Sequence, residues 1–155
     1  MKKEKLQPNK VEATLFVGLG GIGSRIIKGV RDRCVNDSLE NVQFVTMDTD
    51  VNDLERLENG PSIVTIQTSS SRSVAAYLRN DEVARNEWFP ENKILDGKTV
   101  SEGAGQVRAI SRLALNATIK QGKIAALYKA IDSLYMKNGS DRNRAVKVII
   151  ASTST

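Results

Sequence analysis

The chain reads TLFVGLGGIGS from Thr14 to Ser24, and this segment carries the clearest signal of the fold class. It begins with an apolar, β-rich run that is typical of a buried strand. The glycines that follow have the spacing GxGxxG, and apolar residues then recur at helical spacing between Ile22 and Val35. The stretch therefore predicts a strand, a glycine loop and a helix, which is the context that the GxGxxG spacing requires for phosphate binding.

The glycine loop is a candidate phosphate site. Phosphate oxygens must approach bare backbone N–H groups, and glycine leaves these groups uncovered. The N-terminus of the following helix adds unpaired donors and a partial positive charge. We predict that a nucleotide binds at Gly18, Gly20, Gly21 and Gly23, with the Ser24 hydroxyl as a further donor. The alternative is a tight strand–helix crossover in which the glycines only permit close packing.

The rest of the chain alternates strands and helices. Further strands are predicted at residues 42–47, 62–66 and 145–151. Helices are predicted after Asp50, after a cap at Ser69–Ser71, and at 83–88, 107–117 and 124–134, with a break at Gly122 and a long loop at 93–105. This alternation predicts an α/β fold with a Rossmann-like, mostly parallel sheet and helices on both faces.

Length and composition limit the possible functions. The 155 residues suffice for one domain, and no apolar run is long enough to span a membrane. The absence of histidine excludes catalytic and metal sites that depend on it within this chain, and the single cysteine, Cys34, excludes an internal disulfide. These features predict a protein of a reducing, cytoplasmic compartment.

The net charge of +5 is concentrated near the N-terminus. Residues 1–10 hold four lysines and one glutamate, and we interpret them as a disordered basic tail. Little excess charge remains elsewhere and aromatic residues make up only 5%, so a nucleic-acid partner is not favoured. We interpret residues 11–155 as an incomplete N-terminal nucleotide-binding domain, because the last predicted strand ends where a ligand loop is expected to follow.

Two carboxylates follow the second predicted strand. An acidic side chain at this position commonly accepts hydrogen bonds from ribose hydroxyls, so Asp48 and Asp50 are candidate nucleotide ligands. The alternative is that they cap the helix that starts at Val51, a role for which Asp50 is well placed. Asp48 lies 25 positions after Gly23, somewhat more than the about 20 of a simple NAD site.

A second glycine element precedes a later helix. Gly103-Ala104-Gly105-Gln106 comes directly before the helical stripe that begins at Val107, and this creates another helix N-terminus suited to anions. A dinucleotide does not need a second site, whereas the three phosphates of a nucleoside triphosphate would occupy both. Arg108 and Arg112 follow four residues apart, and they either face the phosphates or are solvated surface charges. We expect both glycine loops at one edge of the sheet.

These motifs resemble the tubulin/FtsZ superfamily, in particular the bacterial tubulin-like proteins. The resemblance covers roughly Thr14 to the C-terminus and rests on the ordered pieces 17–23, 48–50 and 103–108. It implies that GTP or GDP is the ligand, with Mg²⁺ as an optional companion, and that both glycine loops hold its phosphates. It also implies that the full-length protein associates with itself.

The C-terminal strand adds to the resemblance. Residues 145–151 look like the strand that leads into the family's GGGTGTG-type phosphate loop, and Ser152 to Thr155 stand where that loop begins. The family takes catalytic acidic residues from the C-terminal half of a neighbouring molecule. The resemblance thus implies that the full-length protein is a GTPase and that this chain does not hydrolyse GTP efficiently by itself.

Other functional interpretations of these motifs remain open. ThiF/MoeB-type adenylating enzymes begin with a similar Gly-Leu-Gly-Gly-x-Gly-Ser loop and carry Asp-x-Asp after the second strand, but they do not account for Gly103–Gly105. A plain NAD(P)-binding Rossmann domain uses the first loop and does not need the second. An interaction module would retain the fold and bind no nucleotide. Guanine specificity follows only from the tubulin-like resemblance.

Overall fold

A parallel sheet forms the centre of the structure. The computed structural model describes residues 9–57, 63–68, 72–99, 107–137 and 145–152. The strands are β1 (Asn9–Leu19), β2 (Leu39–Asp48), β3 (Val64–Gln67) and β4 (Lys147–Ser152). They pair in parallel, in the order β3-β2-β1-β4. The α/β, Rossmann-like fold class is confirmed.

Helices connect these strands. They are α1 (Gly20–Asn36), α2 (Val51–Glu55), α3 (Val74–Arg79), a π-helical turn (Ala84–Trp88), α4 (Lys93–Asp96), α5 (Arg108–Lys120) and α6 (Ala125–Lys137). Helices α1 and α2 lie between successive strands, whereas the other helical elements all lie between β3 and β4. Over the described ranges, no helix has the length and apolar character that crossing a membrane requires.

The sheet carries helices on both faces, as predicted. On one face, Leu15 and Val17 are buried in a cluster with Leu134 of α6. On the other face, the rings of Phe16 and Phe44 stack with their centroids 5.3 Å apart, in the cluster that also includes α1. Successive side chains of a strand point to opposite faces, so the uninterrupted apolar run of β1 is buried on both sides.

Two glycines allow α1 to lie close to the sheet. A Cβ atom at Gly18 would lie 2.8 Å from the carbonyl oxygen of Gly23, and a Cβ atom at Gly23 would collide with the carbonyl oxygen of Ala151 in β4. Both obstacles are backbone atoms, which cannot swing aside as the end of a flexible side chain can. These two glycines therefore have a packing role at the junction of β1, α1 and β4.

The structure changes some local expectations. Strand β1 already begins at Asn9, inside the segment interpreted as a tail, while residues 1–8 lie outside the described ranges. The predicted loop at 93–105 is wrong at its start, because the Asn92 side chain accepts a hydrogen bond from the Ile94 N–H and caps α4. Helix α3 is capped by Ser73, while the predicted cap at Ser69–Ser71 lies outside the described residues. The predicted break at Gly122 is confirmed, with a φ of +70°.

A second core lies among the helices that precede β4. It is formed by buried residues of α3, the π-helical turn, the residue that follows this turn, α4 and α5, namely Val74, Ala84, Phe89, Leu95, Ile110, Leu113 and Ala114. Helix α5 has its apolar stripe in this cluster, with Leu113 only 1% exposed. This packing determines which side of α5 remains available for the sheet edge.

Candidate functional site

A cleft opens at the carboxyl edge of the sheet. Its volume is about 270 Å³, and its lining residues are Leu19, Gly20, Met47, Asp48, Thr49, Thr68, Ser111, Arg112 and Leu115. The first six belong to the ends of β1, β2 and β3 or follow them directly, and the last three belong to α5. Ligands of α/β proteins bind at this edge. The volume is close to the lower end of the range of about 300–1,000 Å³ for small-molecule sites.

The glycine loop meets the cleft at Gly20. Its φ is +73°, in the left-handed region that favours glycine, and a Cβ atom there would face open space. Helix α1 starts at this residue without a side-chain cap and without an acidic residue in its first turn. The first N–H groups of a helix have no partner within the helix, and they carry its partial positive charge. This turn is therefore suited to bind an anion.

Gly21, the next residue, faces carboxylates. A Cβ atom at this position would contact Asp53 Oδ2 and would lie 3.7 Å from Asp48 Oδ2. The other Asp53 oxygen pairs with Arg25 at 3.7 Å and with Arg56 at 3.4 Å. The space beside the first turn of α1 is thus narrow, and one of its walls is the flexible end of Asp53.

Asp48 is the buried acid of the cleft. It is 8% exposed, and its Oδ1 accepts a hydrogen bond from the Asp50 N–H at 3.0 Å. Its Oδ2 is buried and has no hydrogen-bond partner within the described ranges. Burial raises the pKa of Asp48, although hydrogen bonds from the Asp50 and Thr49 N–H groups partly oppose that rise. A buried acceptor without a partner is costly, so Oδ2 is suited to a donor that a ligand brings.

The Asp50 side chain has a structural role. Its Oδ1 accepts hydrogen bonds from the Asn52 N–H at 2.9 Å and from Asn52 Nδ2 at 3.0 Å, which caps α2. The capping interpretation is confirmed for this residue. Asp50 is not among the residues that line the cleft, and its contact with a ligand stays a prediction.

Ser24 lies beneath the glycine loop and not at the cleft surface. It is 1% exposed, and its hydroxyl has no hydrogen-bond partner among the residues that the structure describes. Gly18 and Gly23 are likewise absent from the cleft lining, and their close contacts with the backbone give them the packing role described above. Gly21 is also absent from the cleft lining, and ligand contacts of all four residues stay predictions.

Four of the predicted site residues belong to the second glycine element. Gly103, Ala104, Gly105 and Gln106 lie outside the described residues, and so does the predicted convergence of the two loops. The helix that follows them is described, and Arg108 is its exposed first residue. One turn later, Ser111 and Arg112 bring α5 to the same cleft as Gly20 and Asp48.

Some cleft residues were not anticipated from the sequence. Thr68 directly follows β3 as Asp48 ends β2, and its N–H donates to the Asp48 carbonyl oxygen at 2.7 Å. Its position after a predicted strand was a usable signal. Ser111 and Leu115 share one side of α5 through their spacing of four residues, but only the tertiary packing shows that this side faces the sheet edge.

A larger cavity, of about 510 Å³, lies elsewhere. It is enclosed by α3, the π-helical turn and the segment around α4, with Leu78, Arg85 and Phe89 among its lining residues. Of the residues that the structure describes, its lining includes no strand end and none of the predicted site residues. The smaller cleft is therefore the better candidate, because its position agrees with the chemistry that the glycine loop provides.

The cleft has the groups needed to bind a phosphorylated ligand. Backbone N–H groups at the start of α1 can donate to phosphate, and Asp48 can accept from a hydroxyl. Within the described ranges, no group of three histidine, cysteine, aspartate or glutamate side chains is placed to hold a metal ion. A Mg²⁺ ion that arrives with phosphates requires only one or two protein carboxylates, so Asp48 alone is compatible with it.

One protein-family model matches most of the chain. A family model described as "Tubulin like" matches residues 15–153, which extend from β1 to the end of β4. No curated protein and no solved structure matches the chain.

Proposed function

The chain belongs to the tubulin-like family, and we propose that it is the GTP-binding domain of a bacterial, FtsZ-like member of that family. The observation that carries the proposal is the cleft itself. There Gly20, at the uncapped start of α1, lies together with Asp48, whose Oδ2 is buried without a partner among the described residues. One group is suited to phosphate and the other to a hydroxyl or to a cation bound by phosphate.

The family match separates this proposal from its alternatives. It spans residues 15–153, a range that includes the glycine loop, Asp48 and residues 103–106. ThiF/MoeB-type domains share the first glycine loop and the acids after the second strand but do not account for residues 103–106, and NAD(P)-binding domains need only the first loop. Neither alternative is favoured. Binding of GTP or GDP in preference to other nucleotides is our proposal, and it is supported by family membership alone.

Two further properties belong to the same proposal. Self-association of the full-length protein is expected from the family resemblance. A cytoplasmic location is supported by Cys34, a buried cysteine without a disulfide, which fits a reducing compartment.

Thermal unfolding in the presence of nucleotides tests the proposal. A ligand that binds only the folded chain stabilises it by RT ln(1 + [L]/Kd), about 2.7 kcal/mol at a hundredfold excess over Kd. For a chain of this size that corresponds to a rise in Tm of several degrees. We expect GTP and GDP to raise Tm, and ATP and NAD to raise it less.

A matched pair of glycine variants tests the site. Gly21→Val places two methyl groups beside the first turn of α1, where Asp53 can swing aside, so the chain should fold but lose nucleotide protection. Gly29→Val makes the same change in the same helix at a position that faces open space, and it should retain protection. Preferential protection by ATP or NAD, or equal protection of both variants by GTP, would overturn the proposal.

A further inference from the structure

Arg112 stands between the cleft and a second cavity. It lines the cleft with Gly20 and Asp48, and it also lines an adjoining cavity of about 490 Å³ with Trp88 and Asp81. Its guanidinium carbon lies 4.2 Å from the centroid of the Trp88 ring. The side chain is thus held by an aromatic face at the edge of the candidate nucleotide site.

The hydrogen-bonding groups of Arg112 are available to a ligand. Within the described ranges it makes no ion pair and no hydrogen bond, in contrast to Lys120 about two turns further along α5, which is paired with Asp81 at 2.8 Å. A stacked guanidinium keeps its planar set of N–H donors directed outward from its edge. Such donors match the oxygens of a phosphate group, and they form short, charge-assisted hydrogen bonds with it.

Trp88 is itself fixed in place. It ends the π-helical turn and packs against the buried cluster that includes Phe89. Asp81 ties this turn to α5, because Oδ1 accepts from the Ala84 N–H at 3.1 Å while Oδ2 accepts from Asn116 Nδ2 at 2.7 Å and from Lys120. A π-helical segment is rare, and such segments are frequent at functional sites.

We propose that Arg112 binds the phosphate oxygens of the nucleotide and that Trp88 is its positioning residue. This inference rests on the proposed function, since it assigns a role at the same cleft. The N–H groups of α1 and the guanidinium of α5 then contact the polyphosphate from two elements. Trp88 contributes indirectly, by keeping the guanidinium at the edge of the cleft before the ligand arrives, which reduces the ordering cost of binding.

The test uses the intact chain, with GTP and inorganic triphosphate as probes in calorimetric titrations. Arg112→Gln should weaken binding of both probes by about tenfold or more, as expected for loss of a charge-assisted hydrogen bond. Arg33→Gln removes the same charge from an exposed site at the far end of α1 and should leave affinity unchanged. Circular dichroism and urea midpoints establish that each variant is folded.

The positioning role has its own readouts. Trp88→Phe retains an aromatic face and should keep affinity within about twofold, whereas Trp88→Leu should lose most of what Arg112→Gln loses. In a Trp88→Leu/Arg112→Gln double variant the losses should not add, because both changes remove one interaction. Trp88 is the single tryptophan of the chain, so triphosphate should change its fluorescence in the parent chain and not in Arg112→Gln.

The outcomes separate the two proposals. If the parent chain binds neither GTP nor triphosphate, the proposed function is wrong and the role of Arg112 falls with it. If the parent chain binds GTP and Arg112→Gln binds it equally well, only the present inference is wrong. Equal affinities of Trp88→Leu and Trp88→Phe, both near that of the parent chain, would exclude the positioning role of Trp88.

Discussion

Replacement of Gly23 by alanine tests the packing of α1 against the sheet. The added methyl group would collide with the carbonyl oxygen of Ala151, which is held in β4 by its pairing with β1. The collision can be relieved only by a shift of the helix or of the strand, because the obstacle is a backbone atom and not the end of a flexible side chain. Overpacking of this kind costs about 1–3 kcal/mol.

Gly29 provides the matched control for this change. It lies two turns further along α1, is exposed, and a Cβ atom there meets no neighbour. Gly29→Ala should therefore stabilise the chain by about 0.5–1 kcal/mol, the ordinary gain when alanine replaces glycine in a helix. Because both substitutions share this helical gain, the difference between the two variants isolates the collision with β4, and we expect it to be about 1–3 kcal/mol.

Urea unfolding followed by far-ultraviolet circular dichroism measures both variants. We expect a lower midpoint for Gly23→Ala and a higher one for Gly29→Ala, with similar slopes if the unfolding remains two-state. Equal midpoints, or a more stable Gly23→Ala variant, would show that α1 does not approach β4 as closely as the structure requires. The strand–helix junction beneath the glycine loop would then need another arrangement.

Further substitutions probe the acids near the cleft. Burial raises the pKa of Asp48, so the folded chain holds the carboxyl proton of this residue more firmly than the unfolded chain does. The free energy of unfolding therefore falls as pH rises from about 4 through the folded pKa. Urea unfolding across pH should show Asp48→Asn to be more stable than the unsubstituted chain near neutral pH, with a gain that shrinks in acid. Asp50→Ala should lose the cap of α2 and about 1 kcal/mol of stability, as measured by urea unfolding. Asp81→Ala should cost about 2 kcal/mol by urea unfolding, since it removes the acceptor for three donors. The hydrogen bond from Lys120 lowers the pKa of Asp81, so the stabilisation by Asp81 is present above its unfolded pKa and should disappear as pH falls through its folded pKa. A stability difference between Asp81→Ala and the unsubstituted chain that persists in strong acid would contradict this pH dependence.

Much of the fold follows from local patterns. The apolar run of β1, the helical spacing after Gly20 and the alternation of later segments predict the strands and the main helices correctly, because side-chain periodicity determines which faces can be buried. Short helices that depend on a side-chain cap were harder to predict from the sequence. Helix α4 depends on one side-chain hydrogen bond at Asn92, a signal that glycines nearby in the sequence obscured.

Local sequence patterns are enough to predict that a glycine-rich helix N-terminus follows the first strand and that an acidic residue ends the second. The role of each of these residues depends on how the chain packs. Gly20 faces the cleft while Gly23 packs on Ala151, and Asp48 is buried at the cleft while Asp50 caps a helix. The same holds for Arg112, whose place beside Trp88 depends on contacts of Asp81 with residues 35 and 39 positions away. Local backbone preferences act over a few residues, whereas a binding cleft is assembled from segments that are distant in sequence and meet only when the cores are packed.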